Sequence, residues 1–591
     1  MVTFAARRAP WIGAVALLSL VLSAAPAAAA PTPVPGDPLT GSGAVNRTVL
    51  TAAELTSGSA QDTVTDAAFA LPAGAAPAAH SFSGRLELTG EATGGGFREL
   101  RDDYSYTAAG DAPRKHLPEI SIEFVQNGSH LIPTVQGLGI TGSPAWNLIA
   151  GPGRAWRESG DGGRSRAAFP FALVQRNANC THNGTMTFLY DATSVSQVRY
   201  QITQETCLYY KFDLWGQLPA TYTPYALPDT ARNAHATEVA GRLPTKPISA
   251  LASDYPGAGL DLTKFGGGVT PAHMSTYGVL YRGVNYVSGC TTRRGEYPFC
   301  ESLRLPSYST AKSAFAGVAL LRLGQTHGTG VPGQLIRSWV PEQSGRGNWS
   351  AVTINHALDM TTGHYRSSGY MTDEGGTTMS SFLTAEPYTT KIARAFDFQY
   401  RRPPGQLWVY HSSDTFIATR AMQNYLGRDI FAMVRDEVYT PAKLSAGALT
   451  TLRTDNSPSG MAFGGYGLFF TRDDVAKLGK LLNNDGGAAG GAQVLHPGLL
   501  SATMQRDPGD RGIVTTSSVG FHYNNGFWAR QFTPTDFPQY TCSFWTPFMS
   551  GYGGITVAMM RNGATYYYFS DNDEFAWAGA VNEAAKLGPH C

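Results

Sequence analysis

The sequence predicts an α/β (α+β) chain in which a β-rich amino-terminal domain precedes a larger domain built from a sheet and helices. Three observations carry this prediction. Polar and apolar residues alternate between about residues 80 and 224, capped helical patterns follow after about residue 253, and a strand, turn, strand and helix pattern closes the chain. The 591 residues are also too many for one hydrophobic core, so the chain has at least two domains.

The first 30 residues are typical of a secretory signal peptide. Arg7 and Arg8 precede an apolar stretch from Trp11 to about Leu22, and small residues that offer A-x-A cleavage sites follow. The apolar stretch is too short to span a bilayer stably, although an amino-terminal membrane anchor or a buried helix is the alternative interpretation. We therefore expect a secreted or periplasmic protein that has no membrane span after signal removal.

Residues 31–75 are rich in Pro, Ala, Gly, Ser and Thr and predict a flexible leader. A β-rich domain is predicted over residues 76–245. Its strands are indicated by the alternating segments SFSGRLELTG, EISIEFVQ, TMTFLYD, SVSQVRYQITQ and CLYYKFDLW. The aromatic residues of these strands could line a binding surface, but Tyr and Trp in strands more commonly pack a core.

The second domain is predicted over residues 246–591. It opens with the strand-like segment MSTYGVLYRGVNYV, and Thr471 with Asp474 is the capping pattern of a helix. In GITVAMMRNGATYYYFSD, Asn562 and Gly563 predict the turn of a β-hairpin, and EFAWAGAVNEAAKLG predicts a final helix. Strands at both ends of a mostly helical middle indicate a mixed domain of sheet and helices.

Charge and cysteine content narrow the classes of function. The formal net charge is +1 and no dense Lys/Arg run occurs, which argues against a nucleic-acid partner. The cysteines lack metal-ligand spacing and the histidines are scattered, so we expect neither a metal nor a cofactor. Six cysteines in an exported chain predict disulfides, and although fifteen connectivities are open, local pairing gives Cys180–Cys207, Cys290–Cys300 and Cys542–Cys591.

The strongest candidate for chemistry is the pair Ser309 and Lys312 in SLRLPSYSTAKSAFAGVALLRLG. Positions i and i+3 lie on the same side of a helix, so the lysine nitrogen can reach the serine hydroxyl. A serine hydroxyl needs a base to become a good nucleophile, and a buried lysine can be that base once its pKa is lowered. The bare Ser-x-x-Lys pattern is common, so its context decides the interpretation.

Several further segments supply this context. SYSTAKS resembles the nucleophile motif of the serine β-lactamase and penicillin-binding-protein superfamily, and the later segments are similar to its class C, carboxylesterase and 6-aminohexanoate-dimer-hydrolase branch. The similar segments are VTINHALDMTTG, PPGQLWVYHSSDTF, GGYGLFFTRDDVAKLGKLL and SGYGGITVAM, which occur in the order of that family between about Gly257 and Leu587. The resemblance implies a β-lactamase/transpeptidase-like domain, with an antiparallel sheet flanked by helices and a helical lobe.

The resemblance also implies roles for particular residues. It makes Ser309 the nucleophile, Lys312 its base and Tyr410 the residue that passes the proton to the leaving group, while Ser412 could hydrogen-bond Lys312 or substrate. The oxyanion hole would use the Ser309 N–H and one N–H of the last strand. Two alignments place that second donor at Tyr552 or at Ile555, and Gly551, Gly553 and Gly554 would let backbone and substrate approach closely, unless they form only a flexible turn.

Neighbouring polar residues are less decisive. His411 lies beside Tyr410 and Ser412, but an exposed loop histidine is the ordinary interpretation, and we assign it no role. Asp373 and Glu374, in GYMTDEGG, could line the cleft and bind an amine-bearing substrate, although a solvated acidic loop is the more ordinary interpretation.

One departure from the family pattern bears on the substrate. Penicillin-recognising members carry a Lys or His on the last strand, whereas neither FMSGY nor SGYGG supplies a cation, and Arg561 is expected to lie beyond the site. We therefore expect a secreted serine hydrolase, an esterase or amidase, that forms an acyl-enzyme with a small or oligomeric neutral ester or linear amide. The alternatives are a D-amino-acid peptidase or weak β-lactamase acting on the cell wall, and a non-catalytic binding protein on the same fold.

Overall fold

The structure is a computed structural model that describes residues 38–108 and 113–591. The predicted signal peptide, residues 1–30, lies outside the described residues. Within the described part of the chain, no helix is both long enough and apolar enough to cross a membrane.

The amino-terminal region forms an eleven-stranded antiparallel sheet. Its strands are β1 (Ser83–Leu88), β2 (Gly95–Asp102), β3 (Ile120–Asn127), β4 (His130–Pro133), β5 (Trp146–Ala150), β6 (Gly153–Trp156), β7 (Ser165–Gln175), β8 (Thr181–Tyr190), β9 (Val198–Thr206), β10 (Tyr210–Leu218) and β11 (Ala220–Pro224). The strand order is β11-β1-β3-β4-β6-β7-β8-β9-β10-β2, and β5 pairs with β7. The five alternating segments of the sequence lie on β1, β3, β8, β9 and β10, so the prediction of a β-rich region is confirmed.

The expected flexible leader differs from the structure between residues 38 and 75. This segment contains the helix α1 (Ala52–Ser57), which begins with a capping box of Thr51 and Glu54. Leu55 and Phe69 are fully buried. Residues 38–75 are therefore packed onto the amino-terminal sheet, because their few apolar side chains are placed where the sheet can bury them. The domain boundaries themselves remain a prediction.

The second region is organised around a nine-stranded sheet of order β12-β14-β13-β26-β25-β24-β23-β22-β21. Its strands are β12 (Thr245–Pro247), β13 (Met274–Tyr281), β14 (Val284–Val287), β21 (Ile513–Val514), β22 (Phe521–Asn524), β23 (Phe527–Phe532), β24 (Phe544–Gly551), β25 (Ile555–Met559) and β26 (Thr565–Ser570). Only the pairing of β12 with β14 is parallel. Three two-stranded ladders accompany the sheet: β15 (Thr291–Thr292) with β16 (Gly295–Glu296), β17 (Leu305–Pro306) with β18 (Phe469–Phe470), and β19 (Ala488–Ala489) with β20 (Ala492–Gln493).

The helices after α1 are α2 (Thr230–Ala240), α3 (Ala250–Asp254), α4 (Val318–His327), α5 (Ile336–Trp339), α6 (Ile354–Leu358), α7 (Thr377–Thr384), α8 (Tyr388–Ala395), α9 (Ser412–Leu426), α10 (Ile430–Val434), α11 (Arg472–Gly479), α12 (Pro497–Thr503) and α13 (Ala578–Ala584). They flank this sheet or form a lobe beside it, except α2, which packs against β3 and β4 of the amino-terminal sheet. The predicted cap of Thr471 and Asp474 starts α11 as a capping box. The predicted hairpin joins β25 to β26 with Gly563 at a positive φ of 87°. The mixed fold, with an antiparallel sheet, flanking helices and a preceding β-rich sheet, is the predicted one.

The two sheet regions share buried contacts. Apolar side chains of both belong to one continuous core cluster. Buried ionic contacts accompany it, since Lys211 on β10 lies 2.7 Å from Asp571, and the Arg293 guanidinium contacts Glu205 and Asp213 at 2.6 and 2.7 Å. Paired charges can be buried only with good geometry, so these contacts fix how the amino-terminal sheet sits beside the second region.

The six cysteines form three disulfides, Cys180–Cys207, Cys290–Cys300 and Cys542–Cys591. These are the three local pairs that the sequence analysis gives. His590 lies close to the last of them. Because the two sulfur atoms there are already joined to each other, that cluster does not offer a set of metal ligands.

Candidate active site

Ser309 ends a short loop that leaves β17, and Lys312 lies on the helix that follows. We call residues 307–309 the Ser309 loop. Tyr308, directly before the serine, has a φ of 40°, which is rare for a residue with a side chain. A π-helical turn, Lys312–Gly317, then leads into α4. Strained backbone and π-turns concentrate at functional sites, so the local geometry marks this segment as a candidate site.

The lysine nitrogen reaches the serine, as the i, i+3 spacing predicts. Lys312 Nζ lies 2.9 Å from Ser309 Oγ and 2.8 Å from Ser412 Oγ, and the Gly465 carbonyl lies 3.5 Å away. Lys312 is only 1% exposed. Burial lowers the pKa of Lys312 to about 8, and the charge on Glu374 acts in the opposite direction.

Tyr410 completes this group. Its ring centroid lies 4.9 Å from Lys312 Nζ. Burial raises the pKa of Tyr410 well above its ordinary value, the charge on Glu374 raises this pKa further, and a hydrogen bond with Ser309 lowers it. The phenol is therefore neutral at physiological pH and can both donate and accept a hydrogen bond. Its ring packs on Trp528 at 5.9 Å, which holds the side chain in place.

Glu374, which the sequence places either at the cleft or on a solvated acidic loop, lies in the candidate site. The Ser412 N–H donates to its Oε2 at 2.9 Å, and the Ser412 hydroxyl donates to its Oε1. Because Ser412 is the first residue of α9, the carboxylate sits at a helix amino terminus, where a negative charge is stabilised. Glu374 is thus connected to Lys312 through a single hydroxyl group.

The structure differs from the sequence interpretation at His411, expected to be exposed, and at Asp373, expected on a solvated loop. His411 is fully buried rather than exposed, and its Nε2 lies 2.9 Å from Asp373 Oδ2. Asp373 is 5% exposed and accepts hydrogen bonds from the Arg366 and Ser367 N–H groups. Asp373 and Glu374 therefore bind two consecutive residues at the start of α9, and this double contact holds their loop against the site.

The turn between β24 and β25 brings the predicted oxyanion residues close to the Ser309 loop. A Cβ added to Gly551 would lie 2.9 Å from the Ser307 carbonyl, which explains why this position is glycine. The Tyr552 ring packs edge-on against Tyr308 at 5.9 Å. Within the described chain, neither the Ser309 N–H nor the Tyr552 N–H donates to another residue.

The other predicted residues of this turn contact β24 and the segment of residues 570–574. Gly553 and Gly554 have φ values of 91° and 92° and pack against residues 570–574. The Gly553 N–H donates to Asp573 at 3.0 Å, and Ile555 begins β25 opposite Gly551. These two glycines therefore shape the turn where it packs on residues 570–574.

The segments FMSGY and SGYGG contain no Lys, Arg or His, so β24 and the turn after it bring no cation to the site. Met549 on β24 is 2% exposed and uncharged. Arg561 follows β25 at the end of the strand away from Ile555, beside Arg506, whose pKa is lowered by burial and then by the Arg561 charge. Arg561 thus lies beyond the site, as expected.

Comparisons with known proteins fall into two groups. No protein-family model and no curated protein matches the chain. Solved structures similar to it include a Bacillus anthracis protein named as a 6-aminohexanoate-dimer hydrolase, with 16% identity, coverage of 58% of this chain and 80% of that one, and a TM-score of 0.41. A penicillin-binding protein from Bacillus halodurans has 14% identity, coverage of 57% and 99%, and a TM-score of 0.39.

A D-stereospecific amidohydrolase from Streptomyces sp. has 14% identity, coverage of 52% and 92%, and a TM-score of 0.37. Two of these names, a 6-aminohexanoate-dimer hydrolase and a penicillin-binding protein, are also names of proteins that the sequence motifs resemble. The identities and TM-scores are low, so these likenesses say nothing about the chemistry of this site.

Proposed function

We propose that the protein is a secreted serine hydrolase that cleaves a carboxylic ester or linear amide through an acyl-enzyme on Ser309. One observation carries the proposal. A neutral amine has two N–H donors and one lone pair, and the surroundings of Lys312 supply two acceptors, Ser412 Oγ and the Gly465 carbonyl, together with one hydroxyl that can donate, Ser309. The Ser412 proton is committed to Glu374, so Ser412 offers its lone pair to Lys312.

In the proposed reaction, Ser309 Oγ attacks the substrate carbonyl carbon while its proton moves to Lys312 Nζ. The N–H groups of Ser309 and Tyr552 stabilise the oxyanion of the tetrahedral intermediate. When the bond to the leaving group breaks, Tyr410 donates its proton to the departing alcohol or amine and takes one from the Lys312 ammonium. In the second half of the reaction, water takes the place of the leaving group. It attacks the acyl-enzyme, its proton moves through the same residues, and the acid is released as Ser309 regains a proton.

The lack of a Lys or His on the last strand itself supports the proposed substrate class. In the family that the motifs resemble, a Lys or His on the last strand binds a substrate carboxylate, and neither FMSGY nor SGYGG offers such a partner. Neutral esters and amides carry no carboxylate that needs such a partner. The disulfides support the proposal that the protein acts outside the cytoplasm, since such bonds persist in oxidising compartments.

The test uses short-chain p-nitrophenyl esters and the protein lacking residues 1–30. We expect a burst of p-nitrophenol and an acyl adduct on Ser309 by intact mass and peptide mapping. Ser309→Ala should abolish both, and Lys312→Arg should slow acylation by about a thousandfold, because an arginine stays charged and cannot accept the proton. Full turnover by folded Ser309→Ala would exclude this function, and efficient labelling by a fluorescent penicillin would favour the cell-wall alternative.

A further inference from the structure

We infer that Asn179, which belongs to the amino-terminal sheet, is a positioning residue for the Ser309 loop. The inference rests on the proposed function, in which Ser309 is the nucleophile. Asn179 lies in the turn between β7 and β8 and is 1% exposed. No motif of the second region includes it, and it is separated from Ser309 by 130 positions.

The Asn179 side chain forms hydrogen bonds with the residues that follow β17 and with those that precede β18. Its Oδ1 accepts hydrogen bonds from Ser307 Oγ at 2.9 Å, from the Tyr308 N–H at 2.7 Å and from the Gly467 N–H at 2.8 Å. Its Nδ2 donates to the Leu468 carbonyl at 3.1 Å. One side chain therefore joins the end of β17 to the residues that precede β18.

One of the Asn179 hydrogen bonds is made to Tyr308, the residue with the positive φ. Tyr308 has the positive φ that turns the chain so that Ser309 faces Lys312. Such a conformation persists only where the surroundings hold it, and the Tyr308 N–H is held by Asn179. The Tyr308 hydroxyl also donates to Cys180 Sγ at 3.1 Å, so both ends of this residue are bound by adjacent residues of the same turn.

The turn itself is anchored independently of Asn179. The disulfide Cys180–Cys207 ties it to the loop after β9, Arg176 pairs with Glu386, and Asn177 Nδ2 donates to the Leu383 carbonyl at 3.1 Å. The side-chain amide of Asn179 is therefore presented from a fixed support. In this arrangement the amino-terminal sheet supplies part of the framework of the active site rather than a separate module.

The test compares Asn179→Leu, Asn179→Asp and the matched control Asn147→Leu. Asn147 is also fully buried in the amino-terminal sheet and also bonds across to the second region, through Asn456 at 2.7 Å, but it does not touch the Ser309 loop. Melting temperatures report the structural cost of each substitution. Asn179→Asp keeps the acceptor oxygen and should restore part of whatever Asn179→Leu loses.

Two readouts separate positioning from stability. Hydrogen exchange of peptides covering residues 303–312 and 463–470 should be at least about tenfold faster in Asn179→Leu than in the wild type and unchanged in Asn147→Leu. Covalent labelling of Ser309 by a fluorophosphonate should be slower by about tenfold or more in Asn179→Leu only.

Two results would overturn the inference: unchanged exchange in these peptides, or an equal slowing of labelling in Asn147→Leu. A wild type that is not labelled at Ser309 would instead refute the proposed function. The exchange data would still decide whether Asn179 holds the loop.

Discussion

Replacing Glu374 by Gln tests the electrostatic setting of the proposed base. The substitution removes a charge but keeps an oxygen that can accept the hydrogen bonds of Ser412. Two hydrogen bonds in series, through Ser412, place the carboxylate about 5 Å from Lys312 Nζ. At an effective dielectric constant of about 20, that separation corresponds to about 3 kcal/mol, or about two pKa units, and the partial exposure of Glu374 reduces the expected change to about one unit.

The sign follows from the direction of the pKa changes. Burial lowers the pKa of Lys312 to about 8 and Glu374 raises it, so removal of the Glu374 charge should lower this pKa further. The proposed base works only when neutral, so kcat/KM falls as the pH drops through the Lys312 pKa. In Glu374→Gln this acid limb should move down by about one pH unit, and the variant should retain more of its maximal activity at about pH 6.5 than the wild type does.

The assay is the pH dependence of kcat/KM for a p-nitrophenyl ester, followed at the isosbestic wavelength of the product. Glu342→Gln is the matched control, because Glu342 is a similarly half-buried carboxylate whose charge faces Arg420 at 3.0 Å. Its acid limb should not move. An acid limb of Glu374→Gln that stays in place or moves to higher pH would refute the assignment of Lys312 as a base held by this carboxylate.

Two further predictions concern the groups around the serine. Tyr410→Phe should lower the acylation rate by about a hundredfold with little change in KM, whereas Tyr523→Phe, a neighbouring buried tyrosine, should leave acylation within about twofold of the wild type; stopped-flow burst kinetics distinguish the two. Replacing Cys180 and Cys207 together by Ala should slow fluorophosphonate labelling of the serine, because the turn that binds Tyr308 is released. Removal of the carboxyl-terminal disulfide should leave labelling unchanged at a comparable loss of thermal stability.

Local patterns predicted much of the fold and the centre of the site. Thr471 with Asp474, Asn562 with Gly563, and the alternation of β8 and β9 determine structure within a few residues, so the sequence pattern was sufficient for them. The contact between Ser309 and Lys312 is of the same kind, since it depends on one turn of helix. Tyr410 is 98 positions beyond Lys312 and could be connected to it only through the resemblance of its segment to a known family.

Sequence reasoning did not establish the contacts of Glu374, Asp373 and His411, because these contacts span long separations. Glu374 reaches Ser412 and Asp373 reaches His411 over 38 positions each. A Thr-Asp-Glu stretch between glycines is the composition of a solvated loop, and nothing local indicates that a helix amino terminus will bind it. His411 follows the same rule, because the burial of a loop histidine depends on a carboxylate elsewhere in the chain. The packing of residues 38–75 was hidden in the same way by a composition typical of mobile segments.

The placement of Asn179 bears on the hypothesis of a non-catalytic binding protein. That hypothesis treats the amino-terminal sheet as a separate recognition module. A separable module would contact the second region through side chains remote from Ser309. Instead, Asn179 in the turn after β7 bonds to the Ser309 loop and to the residues before β18. Lys211 and Arg101 hold the 571–572 segment, which lies next to Asp573, the carboxylate that binds the Gly553 N–H. The sheet thus supports both sides of the candidate oxyanion site, so we expect chemistry and recognition to be lost together when it is removed.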